Sequence, residues 1–236
     1  MTKAMHNLTL KLVEVFQLGD EVAGVLDLPP SAWPEPGQYL PAQRFSGEQQ
    51  VLTTPLFRVS DDTDRLCVGP LPQGWVPGDR LDILSPHGRG FQLPPSASRI
   101  GLVALGVSPS RLLPLIPSAL DKGASVALFS DLQLSLDLRN RIPSAIEIAP
   151  LTTLTHDLTW PDFLAVDLSM ESLPQLRELL GMERLPFEGQ ALIRTAMPCH
   201  GVGKCGVCSV ETSKGWRLAC EDGPVFPLEE VLYVAG

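Results

Sequence analysis

Apolar and polar residues alternate from Leu8 to Phe16 in LTLKLVEVF, the period of a strand with one buried face. Short segments of the same texture follow at regular spacing: AGVLDL, GQYLPAQRF, QVLTTPLFRVS, RLCVGPL and DRLDILSP. Proline and glycine separate them, with PPSAWPEPG as the longest break and Gly37, Gly78, Gly88 and Gly90 as punctuation. Many short strands joined by such turns predict a small antiparallel β-barrel over residues 1–94.

The pattern changes near residue 95. PPSAS reads as a linker, RIGLVALGV as a buried strand, SPSRLLPLIPSALDKG as a helix and ASVALFS as a second strand. Ser108 is placed to cap that helix and Pro109 suits its first turn, while Pro114 and Pro117 predict a short or kinked helix. SAIEIAP and PDFLAVDLS add strands, ESLPQLRELLG adds a helix ending at Gly181, and GQALIRT adds a last strand. This alternation predicts a parallel sheet covered by helices, an α/β unit over residues 95–190. Residues 191–236 are glycine-rich and too short to hold a core of their own, so something must staple them.

Four of the five cysteines lie in that tail: Cys199, Cys205, Cys208 and Cys220, spaced C-x5-C-x2-C-x11-C. Three on one loop and a fourth after a hairpin-length gap is a topology suited to a 2Fe–2S cluster, which needs four thiolates converging from a curved backbone. Gly201, Gly203 and Gly206 allow that curvature. SVETSKGWRLAC reads as two short strands around SKG, returning Cys220 to the loop. A structural zinc site is the competing reading, although zinc usually takes two separated C-x2-C pairs and only one is present. Unligated or disulfide-bonded cysteines are a third. His200 reads as a loop histidine with ligation as its alternative, and Cys67, within a strand pattern, reads as a core thiol.

Composition narrows the classes. The 236 residues are 44% apolar and 19% charged, which is globular, and 23 prolines argue against long helices. A net charge of −9 repels phosphate backbones and argues against nucleic acid as a partner. No apolar run approaches the ~18 residues of a membrane span, and the N-terminus lacks the pattern of a secretory leader. The chain therefore reads as cytoplasmic, where thiols stay reduced and clustered cysteines favour metal or redox chemistry.

CHGVGKCGVC followed by LACEDGPVF resembles the C-terminal segment of the electron-transfer subunit of heteromeric dihydroorotate dehydrogenase, a ferredoxin-reductase-like family. The family commonly has four residues between its first two cysteines, and this chain has five. PGQYL is similar to the family's Pro-Gly-Gln-Phe turn, and GDRLDILSPHGRGF to its Gly-Asp…Gly-Pro-x-Gly-x-Gly-Phe segment, with Ser85 where glycine is usual. The resemblance runs through the whole chain in order. It implies a ferredoxin-reductase-like fold of barrel, nucleotide-binding-like parallel-sheet domain and small 2Fe–2S segment at 191–236. It also implies FAD in the barrel, NAD(H) in the α/β domain, and a cluster serving an FMN-containing catalytic subunit resembling dihydroorotate dehydrogenase, as a heterotetramer.

Two of the implied sites depart from the pattern. The family's flavin strand reads Arg-Pro-x-Ser, whereas TTPLF puts Thr54 in place of the arginine and Phe57 in place of the serine, with Arg58 as a substitute cation. VGPLPQGW stands where the family has its Gly-Thr phosphate loop, and VDLSMESL where it has Cys-Gly. In the glycine-rich nucleotide turn only Gly106 and Pro109 remain, while Leu102, Val103 and Ala104 replace three glycines. The reading is an iron–sulfur electron-transfer subunit, non-catalytic by itself, with its FAD site degraded and its NAD(H) site lost, acting in pyrimidine biosynthesis by resemblance. The alternative is a non-redox structural or regulatory subunit with a structural metal at the four cysteines.

Overall fold

The structure is a computed structural model; it describes residues 7–45, 52–156, 158–180, 184–199, 203 and 205–234. Six strands close a barrel: β1 (Asn7–Leu18), β2 (Glu21–Leu26), β3 (Tyr39–Arg44), β4 (Thr54–Arg58), β5 (Leu66–Gly69) and β6 (Arg80–Leu84). Every pairing is antiparallel, in the order β1-β2-β5-β4-β3-β6. β1 closes it by pairing its first half with β6 and its second half with β2 across an irregularity at Leu12/Glu14. The interior is aliphatic: Leu12, Leu26, Leu40, Leu56, Leu66, Leu81 and Ile83. Cys67 is buried as expected of a core thiol, and burial pushes its pKa up.

The second half alternates: β7 (Arg99–Leu105), α1 (Ile116–Asp121), β8 (Ser125–Ser130), α2 (Leu136–Arg141), β9 (Glu147–Pro150), α3 (Leu151–His156), β10 (Phe163–Ser169), α4 (Leu173–Leu180) and β11 (Glu188–Arg194). These strands pair in parallel in the order β11-β10-β7-β8-β9. Continuous apolar runs such as FLAVDL in β10 are buried on both faces, as helices on a parallel sheet require. The proline-bearing stretch after β7 forms a 3-10 segment, Pro109–Leu115, before α1, with Pro114 inside it. Ser108 takes the cap position but makes no side-chain cap bond. The sequence reading had no helix at α2 or α3. α2 has local signals, since the Ser135 hydroxyl accepts from the Leu138 N–H at 3.3 Å and Arg139 and Arg141 sit in its last turn. α3 is threonine-rich and is fixed by burial of Leu151 and Leu154.

The tail is more firmly built in than its composition suggests. The hairpin β12 (Ser209–Thr212) and β13 (Gly215–Leu218) forms around the SKG turn. β14 (Val225–Pro227) then joins the large sheet antiparallel to β11, and α5 (Leu228–Leu232) buries Leu228, Val231 and Leu232. Packing therefore anchors residues 225–232 and supplies part of the stapling that the tail's composition calls for. The barrel grips the tail as well. The Arg89 N–H donates to the Gly223 carbonyl at 2.6 Å, and Arg89 bridges Pro224. At Gly88 (φ +77°) a Cβ would lie 2.6 Å from Pro224 Cδ and 2.7 Å from the Gly223 carbonyl oxygen.

A buried ion network joins barrel to sheet. Arg111, in the 3-10 segment, sends Nη1 and Nη2 to the two carboxylate oxygens of Glu21 on β2 at 2.9 and 2.8 Å. Its Nε reaches Asp167 on β10 at 2.9 Å, and Arg194 on β11 lies 3.2 Å from Asp167 and 3.6 Å from Glu21. Arg111 and Asp167 have no solvent exposure. Burial works against the Arg111 charge, but Asp167 and Glu21 overcome it and leave its pKa raised. Burial likewise pushes Glu21 up, and Arg111 and Arg194 more than reverse this, leaving Glu21 below its ordinary value.

Glu21→Gln should cost about 3 kcal/mol at neutral pH, because it leaves Arg111 short of a charge partner. The pKa of Glu21 is lower in the folded chain than its ordinary 4.5, so its contribution is complete above that pH and fades as pH falls through the folded value. Urea titrations of wild type and variant should therefore stay offset at pH 7 and converge below pH ~4.5. Gly88→Ala should destabilise by about 1–3 kcal/mol and open the tail first. Limited proteolysis of the variant should cut the cysteine segment before the barrel.

Candidate metal centre

The cysteine segment leaves β11 through Thr195–Pro198, where the Thr53 N–H holds the Pro198 carbonyl at 3.2 Å. Cys208 and Cys220 are buried, Cys199 is half-buried and Cys205 is exposed. The β12–β13 hairpin sets the first two side by side, because the Ala219 N–H donates to the Cys208 carbonyl at 3.0 Å. After β13 the chain turns sharply. The Leu218 carbonyl receives the N–H groups of Glu221 and Asp222 at 3.1 and 2.7 Å, and the Asp222 carboxylate holds the Leu218 N–H at 3.0 Å. This turn fixes Cys220 in place.

Cys208 hydrogen-bonds Cys220, and the Gly203 N–H is directed at Cys220. Burial first, then Cys208 and Cys199, push the Cys220 thiol up to about 12. A thiol so placed stays protonated without a cation to compensate its charge. Gly203 (φ +72°) has its Cα hydrogen facing Glu221: a Cβ would lie 2.5 Å from Glu221 Oε2. No disulfide links the cysteines, and among the described residues no three His, Cys, Asp or Glu side chains already form a ligating group. The donor set nevertheless fits an iron–sulfur cluster. It offers soft thiols, three of them within electrostatic reach of one another, a backbone N–H at a sulfur, and Cys205 on the adjoining loop. His200 lies outside the described residues.

Tyr39, read in the sequence only as part of the PGQYL turn, belongs to this site. Its side chain is fully buried, and its hydroxyl lies 3.5 Å from the Cys220 carbonyl oxygen. Its pKa is raised by burial and then by Cys220, Cys208 and Cys199, which puts the phenol within electrostatic reach of all three. The available signal was a tyrosine where the resembled family has phenylalanine.

The implied cofactor residues are placed differently. Leu102, Val103 and Ala104 lie inside β7 and are buried, so the turn begins only at Gly106. Burial of this apolar run within the sheet carries the strand past the positions expected for the turn. The Gly106 N–H, at the carboxyl edge of the sheet, donates to the Asp131 carboxylate at 2.8 and 3.0 Å. The groove beside it, about 600 Å³, is lined by Asp20, Ser108 and Ser135 among others, and among the described residues by no lysine or arginine. Thr54 and Phe57 lie on β4, and Phe57 packs on Tyr39 with ring centroids 6.0 Å apart. Arg58 stacks 5.1 Å over Trp33 and donates to the Ser60 and Asp62 carbonyls at 3.1 and 3.0 Å.

Comparison with known proteins agrees with this geometry. Residues 195–232 match the iron-sulfur cluster binding domain of dihydroorotate dehydrogenase B. The dihydroorotate dehydrogenase B (NAD(+)) electron transfer subunit of Clostridium perfringens is 24% identical over 163 residues, covering 64% of this chain and 66% of the relative. Sulfhydrogenase 1 subunit gamma of Pyrococcus furiosus is 23% identical over 196 residues, covering 68% of this chain and 65% of the relative. The matched part thus spans slightly under two thirds of these relatives. Among solved structures, a chain of the NADH-dependent reduced ferredoxin-NADP oxidoreductase superposes with a TM-score of 0.70 at 18% identity, covering 94% of this chain and 88% of that one. The ferredoxin reductase in carbazole 1,9a-dioxygenase superposes with a TM-score of 0.57 at 15% identity, over 77% of this chain and 67% of that one. The chain is similar to the dihydroorotate dehydrogenase B electron-transfer subunits at about a quarter identity, it has a ferredoxin-reductase-like fold, and its residues 195–232 match the iron-sulfur cluster binding domain of that enzyme.

Proposed function

We propose that this chain is the iron–sulfur electron-transfer subunit of a heteromeric oxidoreductase, with Cys199, Cys205, Cys208 and Cys220 holding one 2Fe–2S cluster. The observation that carries this is the hydrogen-bonded pair of Cys208 and Cys220, with Cys199 in electrostatic reach, within the segment that matches the iron–sulfur domain. Such a cluster supplies one-electron storage and transfer. The protein's part is to hold the four thiolates, direct the Gly203 N–H at a sulfur and keep water from Cys208 and Cys220.

Three parts carry the function in this reading: a flavin-binding-like barrel (1–94), a nucleotide-binding-like unit (95–190) and the cluster segment (191–236). The middle part does not bind NAD(H). Its anion-binding amide is taken by Asp131, its groove has no cation for a pyrophosphate, and Leu102–Ala104 give no bare backbone. The barrel's flavin site is weakened, because Arg58 is committed to its own loop. Electrons then arrive from, or leave to, an FMN-containing subunit resembling dihydroorotate dehydrogenase, in a cytoplasmic heterotetramer with two copies of each chain. Among the described residues no helix is long and apolar enough to cross a membrane.

Anaerobic purification from the native host, with iron, sulfide and zinc assays and native mass spectrometry, tests the proposal. Two irons and two sulfides per chain, and a flavoprotein partner in the complex, are expected. Cys208→Ser should bleach the visible absorption and lose the iron. Four thiolates bound to zinc in iron-replete protein would favour the structural subunit instead. The purified chain should show no saturable NADH oxidation with artificial acceptors; measurable turnover would refute loss of the nucleotide site.

A further inference from the structure

We propose that Tyr39 is a positioning residue for the cluster: its hydroxyl is a hydrogen-bond donor from the barrel that raises the cluster's reduction potential. This rests on the reading of the four cysteines as cluster ligands. The barrel fixes the ring from three sides. Tyr39 pairs with Phe57 across β3 and β4, and its backbone exchanges hydrogen bonds with His87 at 3.2 and 2.9 Å. The rings of Phe57 and His87 stand 6.0 and 6.1 Å away. The Gly88–Pro224 contact holds the tail against the same edge, with Tyr39 Cε1 3.3 Å from where a Gly88 Cβ would be. The ring therefore has little freedom to turn away from the cysteines.

The hydroxyl is poorly satisfied where it points. At 3.5 Å the Cys220 carbonyl is well beyond the roughly 2.7–2.8 Å of a good O–H···O bond. The long bond still directs the hydroxyl's positive end at the backbone of Cys220, and in a buried site that dipole acts on charge held by the cysteines around it. Reduction adds one negative charge to the site, and a fixed hydroxyl dipole whose positive end points to the backbone of a ligand stabilises the reduced form more than the oxidised form. The raised pKa of Tyr39 agrees, because it keeps the phenol protonated and able to donate.

The test is a redox titration of the cluster-loaded complex, followed by electron paramagnetic resonance. Tyr39→Phe should retain its iron, sulfide and visible spectrum, while the reduction equilibrium moves about tenfold toward the oxidised form, a downward shift of about 59 mV for one electron. An intact cluster with unchanged potential would overturn the proposal and leave Tyr39 a packing residue. If Tyr39→Phe does not assemble, a second variant decides. The chain has two tyrosines, so 3-fluorotyrosine incorporated into Tyr233→Phe protein modifies Tyr39 alone. The stronger donor should raise the potential relative to the unfluorinated Tyr233→Phe protein, and no shift would again refute the role. Wild-type protein without any cluster would instead sink the electron-transfer reading, and this inference with it.

Discussion

The architecture depends on a guanidinium that has no water around it. Arg111 lies where the barrel, the parallel sheet and the segment after β7 meet, and it is tolerable there only because Glu21 and Asp167 accept its hydrogen bonds from opposite sides. Arg194 adds a second positive charge beside the two carboxylates, so the group is formally neutral. Each member comes from a different element: β2, the 3-10 segment, β10 and β11. A displacement of the barrel relative to the sheet would expose or orphan several charges together. The fixed geometry of a guanidinium fork makes this a constraint on orientation as well as on contact.

That constraint matters for the cysteine segment, which is held by both halves. β14 and α5 belong to the sheet, while Gly88 and Arg89 of the barrel close on Gly223 and Pro224. Cys220 lies a few residues before both attachments, and the β12–β13 hairpin brings Cys208 beside it. The site is therefore placed at the junction of barrel and sheet. At the carboxyl edge of the sheet the Asp131 carboxylate accepts the Gly106 N–H, so that edge is closed by the chain's own side chain.

Much of this was legible from local pattern. Period-two alternation located all six barrel strands, and apolar runs located β7, β8, β9, β10 and β11, because strand burial leaves a direct trace in residue order. α2 and α3 left weaker traces, since six-residue helices are too short for a helical period to accumulate. β14 and α5 were missed because their burial comes from β11 and α4, which are distant in sequence.

The sequence by itself determined the barrel, the parallel sheet and the four cysteines with their glycine spacing, because strand alternation, proline and glycine geometry and thiol chemistry are properties of neighbouring residues. Only the tertiary structure decided that Glu21, Arg111, Asp167 and Arg194 would share one buried site, and that the Tyr39 hydroxyl would meet the Cys220 carbonyl from 181 residues away. Each of these is a contact between elements remote in sequence. Its energy comes from desolvation and packing that arise only when those elements meet, so no window along the chain contains it.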